Sequence, residues 1–152
     1  MKTPVQLRDL VFFLDENLGG EKVASALRQS GLKVELHGSH FPRGTADDQW
    51  LPVVGNREWI LLTQDTSIRR RKNEIEALLF YKVRAFFVPA KNLRGEEIGA
   101  LIVSAAPKIH RTVKQHRPPI VALIQRSGGI DVIQGERRYE RKGADIRQKT
   151  SS

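Results

Sequence analysis

The sequence predicts an α/β fold in three layers, with a mainly parallel central sheet between helices and a hairpin at the C-terminal end. Short apolar runs at residues 10–14 and 84–88 are typical of strands that are buried on both faces. Segments with the apolar spacing of helices separate these runs. Because strands that alternate with helices pair in parallel, the two observations together favour an α/β/α sandwich.

The first half of the chain is predicted to form two strand–helix units. In chain order these are a strand at 10–14, a helix at 20–30 that ends at Gly31, a strand at 33–37, a loop at 38–45 and a short helix at 47–55. Pro52 lies inside the last segment, and we expect it to bend or end that helix because proline removes a backbone donor.

The second half continues the alternation and then changes character. We predict a strand at 58–63, a helix from an Asn73–Glu76 capping box through Tyr81, a strand at 84–88, a long helix at 95–116 and a hairpin of 120–124 with 130–133. Pro107 should break or kink the long helix. Residues 1–134 are expected to form one domain. Residues 135–152, with six basic and three acidic residues, are expected to be a disordered tail.

The composition limits the classes of function. The 152 residues carry a net charge of +9, of which residues 1–66 contribute −2 and residues 67–152 contribute +11. A basic second half indicates a polyanionic partner such as nucleic acid, although a solubility role is the simpler alternative. The absence of cysteine excludes disulfides, zinc-thiolate sites and thiol nucleophiles. With no signal-peptide pattern and no long apolar run, we expect a cytoplasmic protein.

Acidic residues follow two of the predicted central strands. Asp15 ends the first, and Asp65 comes just after the third along the chain. In parallel sheets, ligands bind beyond the carboxyl ends of the strands where the strand order reverses. If the second and third strands flank the first, the reversal falls between the strands that carry these two acids. Glu16, Asp47 and Asp48 are predicted to lie at the same edge.

Clustered carboxylates without thiols favour Mg²⁺ or Mn²⁺, and such sites carry out metal-assisted phosphodiester hydrolysis. Structural roles compete with this interpretation. Asp15 could cap the following helix, Asp65 could be a helix N-cap, and Asp47 or Asp48 could be an ordinary first-turn acid. Thr63 and Ser67 could support the site or serve only the backbone.

Basic residues follow the acids closely in sequence. Arg69, Arg70, Arg71 and Lys72 could hold an RNA phosphate backbone beside the site, or could simply be a solvated surface. The four histidines have no metal-ligand spacing, and we expect His110 and His116 to face solvent or phosphate. The two tryptophans, Trp50 and Trp59, have the sequence environment of core residues.

Three segments, FFLDENL, ADDQWLPVVG and WILLTQDTSIRRR, together resemble the PIN-like nuclease domains, in particular the VapC-type toxins of toxin–antitoxin pairs. The resemblance covers residues 10–90 and extends more loosely to 133. It implies an α/β/α nuclease fold and Mg²⁺- or Mn²⁺-dependent endoribonuclease activity. Asp15, Asp47 and Asp65 would be the metal ligands, with Glu16 as an outer partner. Many relatives have a further acid where this chain has Ser67, which leaves a fourth ligand and a second metal open.

The resemblance also implies protein partners. It implies a cognate antitoxin that blocks the site, and a homodimer is common among such domains. Two other classes remain as alternatives. A response-regulator receiver would need a hydroxyl residue after the fourth strand, where this chain has Pro89-Ala-Lys91. A non-catalytic, basic RNA-binding module with a degenerate nuclease fold would use the acids only structurally.

Overall fold

A computed structural model describes residues 6–18, 20–66 and 72–138 of the chain. The strands are β1 (Val11–Leu14), β2 (Lys33–Leu36), β3 (Ile60–Gln64), β4 (Arg84–Val88), β5 (His116–Ile124) and β6 (Ile130–Arg137). The helices are α1 (Gly20–Gln29), α2 (Asp47–Asn56), α3 (Lys72–Phe80) and α4 (Gly95–Gln115).

The six strands form one sheet in the order β2-β1-β3-β4-β5-β6. Strands β1 to β5 pair in parallel, and β6 runs antiparallel to β5. Strands β2 and β3 therefore flank β1, and the strand order reverses between β1 and β3, as the sequence predicts. The C-terminal hairpin is also confirmed, because β5 and β6 are joined by a tight turn.

Alternation along the strands divides the core into two layers. Phe12 and Leu14 of β1 pack in one cluster with buried residues of α1 and α4. Phe13 points to the other face and packs with buried residues of α2 and α3. Trp50 and Trp59 are buried in this second layer, where Trp59 stacks on Phe13 with 5.4 Å between ring centroids, so their predicted core role is confirmed. Because successive side chains of a strand point to opposite faces, helices pack on both sides of the sheet, and the architecture has three α/β/α layers.

Proline does not end either helix that contains it. Helix α2 continues through Pro52, and α4 continues through Pro107. The predicted break at Pro107 is therefore wrong. Ile102 and Ile109 are fully buried on either side of Pro107 and pack in the same core cluster, and we infer that this burial outweighs the lost backbone hydrogen bond.

Several predicted boundaries shift in the structure. Asn73 lies inside α3 and is not its N-cap, so the predicted capping box is wrong. Strand β6 runs to Arg137 and so includes the first three residues of the predicted tail, and residues 139–152 lie outside the described part of the chain.

His116 begins β5 and is buried, contrary to the prediction that it faces solvent or phosphate. Its Nδ1 lies 3.0 Å from the carbonyl oxygen of Thr112, and its ring packs beside Gly135, whose lack of a side chain leaves space for it. His110 is half-buried on α4. Within residues 6–18, 20–66 and 72–138, no helix is long and apolar enough to cross a membrane.

Candidate active site

Asp15 lies one residue beyond the end of β1 and is the centre of the candidate site. Its side chain is buried, and its backbone N–H donates to the carbonyl oxygen of Leu62 on β3 at 3.1 Å. Oδ2 accepts a 2.7 Å hydrogen bond from the hydroxyl of Thr63, and Oδ1 accepts one of 2.7 Å from the N–H of Glu16. A buried carboxylate is costly unless it is hydrogen-bonded, and these two short bonds fix its orientation.

The register of β1 and β3 explains why Thr63 meets Asp15. Leu14 is paired with Leu62, so the next residue of each strand lies at the same level of the sheet. Phe13 and Leu61 both point to the α2–α3 face. Since side chains alternate along a strand, Asp15 and Thr63 point to that face as well.

Asp65 follows β3, and its N–H donates to the carbonyl oxygen of Val88 at the end of β4, at 2.7 Å. Asp65 is two residues beyond Thr63, and side chains two residues apart in an extended backbone point to the same face. Its Oδ1 is shielded from solvent. The carboxyl ends of β1 and β3 therefore carry the two acids that the sequence predicts there.

Asp47 approaches the site from the helical layer. It is the first residue of α2, and it lines a small cavity of about 20 Å³ together with Thr63. Asp48 does not line this cavity, although it is the next residue of the helix. Because Asp47 lines the same cavity as Thr63, it is the better candidate of the pair.

Glu74 is an acidic residue that the sequence interpretation missed. It lies in the first turn of α3 and lines the same cavity as Asp47 and Thr63. The predicted capping box involved Glu76, but Glu74 is the glutamate of α3 that lines this cavity. A signal was available, because Glu74 is an acid in the first turn of a helix that follows a central strand, and Cβ atoms tilt toward the N-terminus of their helix.

Glu16 lies on the other side of Asp15, toward β2. Its Oε1 is 3.3 Å from the N–H of Gly44 and 3.7 Å from Nδ1 of His37. His37 is buried, and neither of its ring nitrogens makes a hydrogen bond within the described residues. The end of β1, the start of α1, the end of β2 and the loop before α2 surround a cavity of about 550 Å³ here. Glu16 therefore binds the loop before α2 instead of facing Asp47.

The donor set suits a hard divalent cation. Carboxylate oxygens and the Thr63 hydroxyl are ligands that Mg²⁺ and Mn²⁺ prefer, and Mg²⁺ needs only one or two protein carboxylates because it keeps several waters. In the described part of the chain, no three acidic or histidine side chains are grouped as a complete metal site. The residues therefore fit a cation held by one or two carboxylates and water.

The helices add a positive field to this acidic edge. Helices α1 and α2 both begin here, after β1 and β2, and helix N-termini carry partial positive charge. Lys72 is exposed at the start of α3. Arg69, Arg70 and Arg71, which the sequence interpretation assigned to phosphate binding, lie outside the described residues, as does Ser67.

Two further cations follow the neighbouring strands at the same edge. Lys91 comes after β4 and Arg126 after β5, and the guanidinium of Arg126 donates to the carbonyl oxygen of Lys91 at 2.8 Å. The topology brings them to this edge, although they are far from the acidic motifs in sequence. Anion binding at helix N-termini is a common use of such an edge.

The sheet order and the acids at its switch point define an α/β protein with a carboxylate site at the carboxyl edge of a parallel sheet. The chain belongs to the family described as PIN like domain, whose model matches residues 10–90. The segments FFLDENL, ADDQWLPVVG and WILLTQDTSIRRR all lie within this range. The predicted family and fold are thus confirmed, and the receiver alternative is wrong.

A curated relative comes from Mycobacterium tuberculosis and is named Putative ribonuclease VapC45. It is 26% identical to this chain over 115 residues, which cover 73% of this chain and 83% of the relative. No solved structure gave a significant match.

Proposed function

We propose that this protein is a metal-dependent endoribonuclease and the toxin of a toxin–antitoxin pair. The observation that carries the proposal is the buried Asp15 carboxylate, which Thr63 holds in one orientation at the switch point of a PIN-like sheet. The name of the mycobacterial relative supports RNA as the substrate class. The basic second half of the chain is consistent with a polyanionic substrate.

The reaction is hydrolysis of an RNA phosphodiester bond. Water adds to phosphorus, the bond from phosphorus to the 3′ oxygen breaks, and that oxygen takes up a proton, which leaves a 5′-phosphate and a 3′-hydroxyl. One or two of the carboxylates of Asp15, Asp47 and Asp65 would hold Mg²⁺ or Mn²⁺ together with water, and Glu16 would be an outer partner. The cation, when bound, would neutralise charge that develops on the phosphate.

The protein residues have separate roles in this proposal. Thr63 fixes the Asp15 carboxylate, so little reorganisation is needed when substrate binds. Arg69, Arg70, Arg71 and Lys72 would position the RNA backbone through phosphate contacts. An antitoxin would block the acidic edge, a homodimer would be the assembled form, and the cytoplasm would be the site of action.

The first experiment is cleavage of total RNA by the purified chain with Mg²⁺ or Mn²⁺, followed by mapping of new 5′ ends. We expect discrete 5′-phosphate ends that disappear with EDTA and in the Asp15→Asn/Asp65→Asn double variant. Asp48→Asn is the matched control, because Asp48 is exposed and does not line the cavity beside Thr63. Equal cleavage by the double variant and the wild type would refute the site.

A second function is favoured by one observation, the absence of a complete metal-ligand group among the described side chains. The protein would then be an RNA-binding module with a degenerate nuclease fold. Metal separates the two functions. A nuclease loses activity with EDTA, whereas a binder retains its affinity for RNA with or without EDTA and leaves the RNA intact.

A further inference from the structure

A second cavity lies at the amino edge of the sheet, opposite the acids. It has a volume of about 630 Å³, and residues from the end of α2, the turn after α3 and the starts of β4 and β5 surround it. Arg84 is the first residue of β4, and Val88, its last residue, accepts the hydrogen bond from Asp65. Four residue steps separate these edges by about 13 Å, so this cavity is not part of the acidic site.

The cavity is strongly cationic. Lys82, Arg84, Arg117 and Arg138 line it, and Glu58 is the acid among the described lining residues; Glu136, outside the lining, has its carboxylate 3.9 Å from the Arg117 guanidinium. Helices α2 and α3 end here, and each contributes about half a negative charge. The net charge stays positive after both helix ends are counted.

Arg84 is the buried member of this group. Its Nη1 reaches the carbonyl oxygen of Glu58 at 3.3 Å and the Glu58 carboxylate at 3.8 Å, but Nε makes no hydrogen bond within the described residues. Burial lowers the pKa of Arg84; Glu58 opposes this effect, and the nearby Arg138 adds to it. Two like charges are therefore held close together, and the carboxylate nearest Arg84, that of Glu58, is largely exposed.

Aromatic side chains border the same cavity. Phe80 is 76% exposed, the largest exposure of any large apolar residue in the described chain. Its ring packs against Tyr81 in an edge-to-face arrangement, with 4.9 Å between centroids, and this contact helps to orient the exposed ring. Beside it, Lys82 has no ion-pair partner within the described residues. An aromatic face next to cations suits a base and its phosphate.

We propose that this amino-edge cavity is a second, non-catalytic binding site for single-stranded RNA. Phe80 would stack on a base, and Lys82 and Arg117 would contact the adjoining phosphates, while Arg84 supplies buried positive charge beneath them. The RNA class is taken from the proposed function, so the inference rests on it. Substrate held here would be anchored at the edge of the sheet opposite the acids, with the length of β4, about 13 Å, between the two edges.

The test measures the affinity of the full chain for a fluorescein-labelled single-stranded RNA of about twelve nucleotides, by fluorescence anisotropy in EDTA. The first variant is Lys82→Asn/Arg117→Gln, in which Asn suits the positive φ of 58° at residue 82. The matched control is Lys108→Gln/Arg111→Gln, which removes the same charges from an exposed part of α4.

We expect the cavity variant to lose about tenfold or more in affinity and the control to lose little. The slope of log Kd against log salt should fall by about 1.4 in the cavity variant, since each phosphate contact on a single strand contributes about 0.7. Equal losses in both variants would overturn the proposal, because diffuse charge would then explain binding.

The aromatic contact is tested by Phe80→Ser, which changes an exposed side chain. Affinity should fall about fivefold to a hundredfold, the range for one stacked base. Unchanged RNA affinity, together with cavity-dependent binding of a poly-glutamate peptide, would assign the site to an acidic protein segment and overturn the RNA assignment. Wild-type cleavage is measured separately, so cavity-dependent binding without cleavage would refute the proposed nuclease and leave this site standing.

Discussion

The two edges of the sheet carry opposite charges. At the carboxyl edge, Asp15 and Asp65 lie near the beginnings of helices, and at the amino edge Arg84 and Arg117 lie near the ends of helices. In both places the side chains oppose the partial charge of the helix termini. The sign of the charge at an edge is therefore explained by the fold and does not by itself indicate a ligand.

Hydrogen bonding separates the edges more clearly than charge. Asp15 and Arg84 are buried to nearly the same extent, with 6% and 8% of their surface exposed. Asp15 accepts two bonds of 2.7 Å from protein groups, whereas the Nε of Arg84 makes none within the described chain. The acidic edge is therefore ordered by the protein itself, while an anion at the basic edge would complete a group that the described part of the fold leaves unsatisfied.

The largest effect is expected from Asp15→Asn. A bound cation contributes several kcal/mol to transition-state stabilisation, and each 1.36 kcal/mol is a tenfold change in rate, so RNA cleavage should fall about a hundredfold or more. Single-turnover cleavage measures the change, and thermal unfolding checks that the variant is folded. Asp48→Asn should retain activity. A similar loss in both variants would place the site elsewhere on this edge.

A smaller effect is expected from Thr63→Val, which removes the hydroxyl that orients Asp15 and leaves the edge charges unchanged. Loss of such an orienting partner costs about tenfold to a hundredfold in activity or metal affinity. The measurement is cleavage as a function of Mn²⁺ concentration. Thr63→Ser retains a hydroxyl and should restore much of the lost activity. Full activity in the valine variant would mean that Asp15 needs no such support.

Gly55→Ala should disturb the basic edge alone. A Cβ at Gly55 would collide with the carbonyl oxygen of Tyr81, in the turn that carries Phe80 and Lys82. Overpacking of this kind costs about 1–3 kcal/mol of unfolding free energy. Chemical denaturation measures the cost, and Gly38→Ala is the control because the space beside Gly38 is open. Equal stability of both variants would indicate that the turn moves freely.

The smallest effect on stability is expected from Arg84→Met. Replacing a poorly paired buried charge with an apolar side chain of similar volume is often neutral or stabilising, and we expect a change within about 1 kcal/mol. Burial lowers the pKa of Arg84, so folding disfavours the bound proton. The guanidinium nevertheless keeps its proton near neutral pH, so the change in unfolding free energy should be flat from about pH 5 to 9. A strong loss of stability would show that Arg84 holds the fold together.

Much of the acidic edge could be predicted from local sequence. The run before Asp15 and the run before Asp65 are apolar enough to be central strands, and parallel pairing then brings their ends to one edge. The positions of Asp47 and Asp48 in a first helical turn were equally visible. Helical position alone could not separate these two residues. The family resemblance selected Asp47, and the cavity that Asp47 shares with Thr63 favours the same residue.

Other features escaped local patterns because packing overrides propensity. A proline at position 107 predicts a break in the helix, but buried residues on both sides of it stabilise a continuous α4. The sequence around His116 indicates an exposed basic helix, yet His116 begins β5 and its ring packs beside Gly135. Glu74 was overlooked because its approach to Thr63 depends on how α3 lies across the sheet.

The layered α/β architecture and the strand ends that carry acids are readable from the sequence, because apolar periodicity and parallel pairing act over short stretches and repeat along the chain. The packing of distant segments, in contrast, sets which acids and hydroxyls share a cavity, brings Thr63 to Asp15, and brings four distant cations to one cavity. Those relations join residues up to about sixty positions apart, and no local pattern records how two folded segments approach each other.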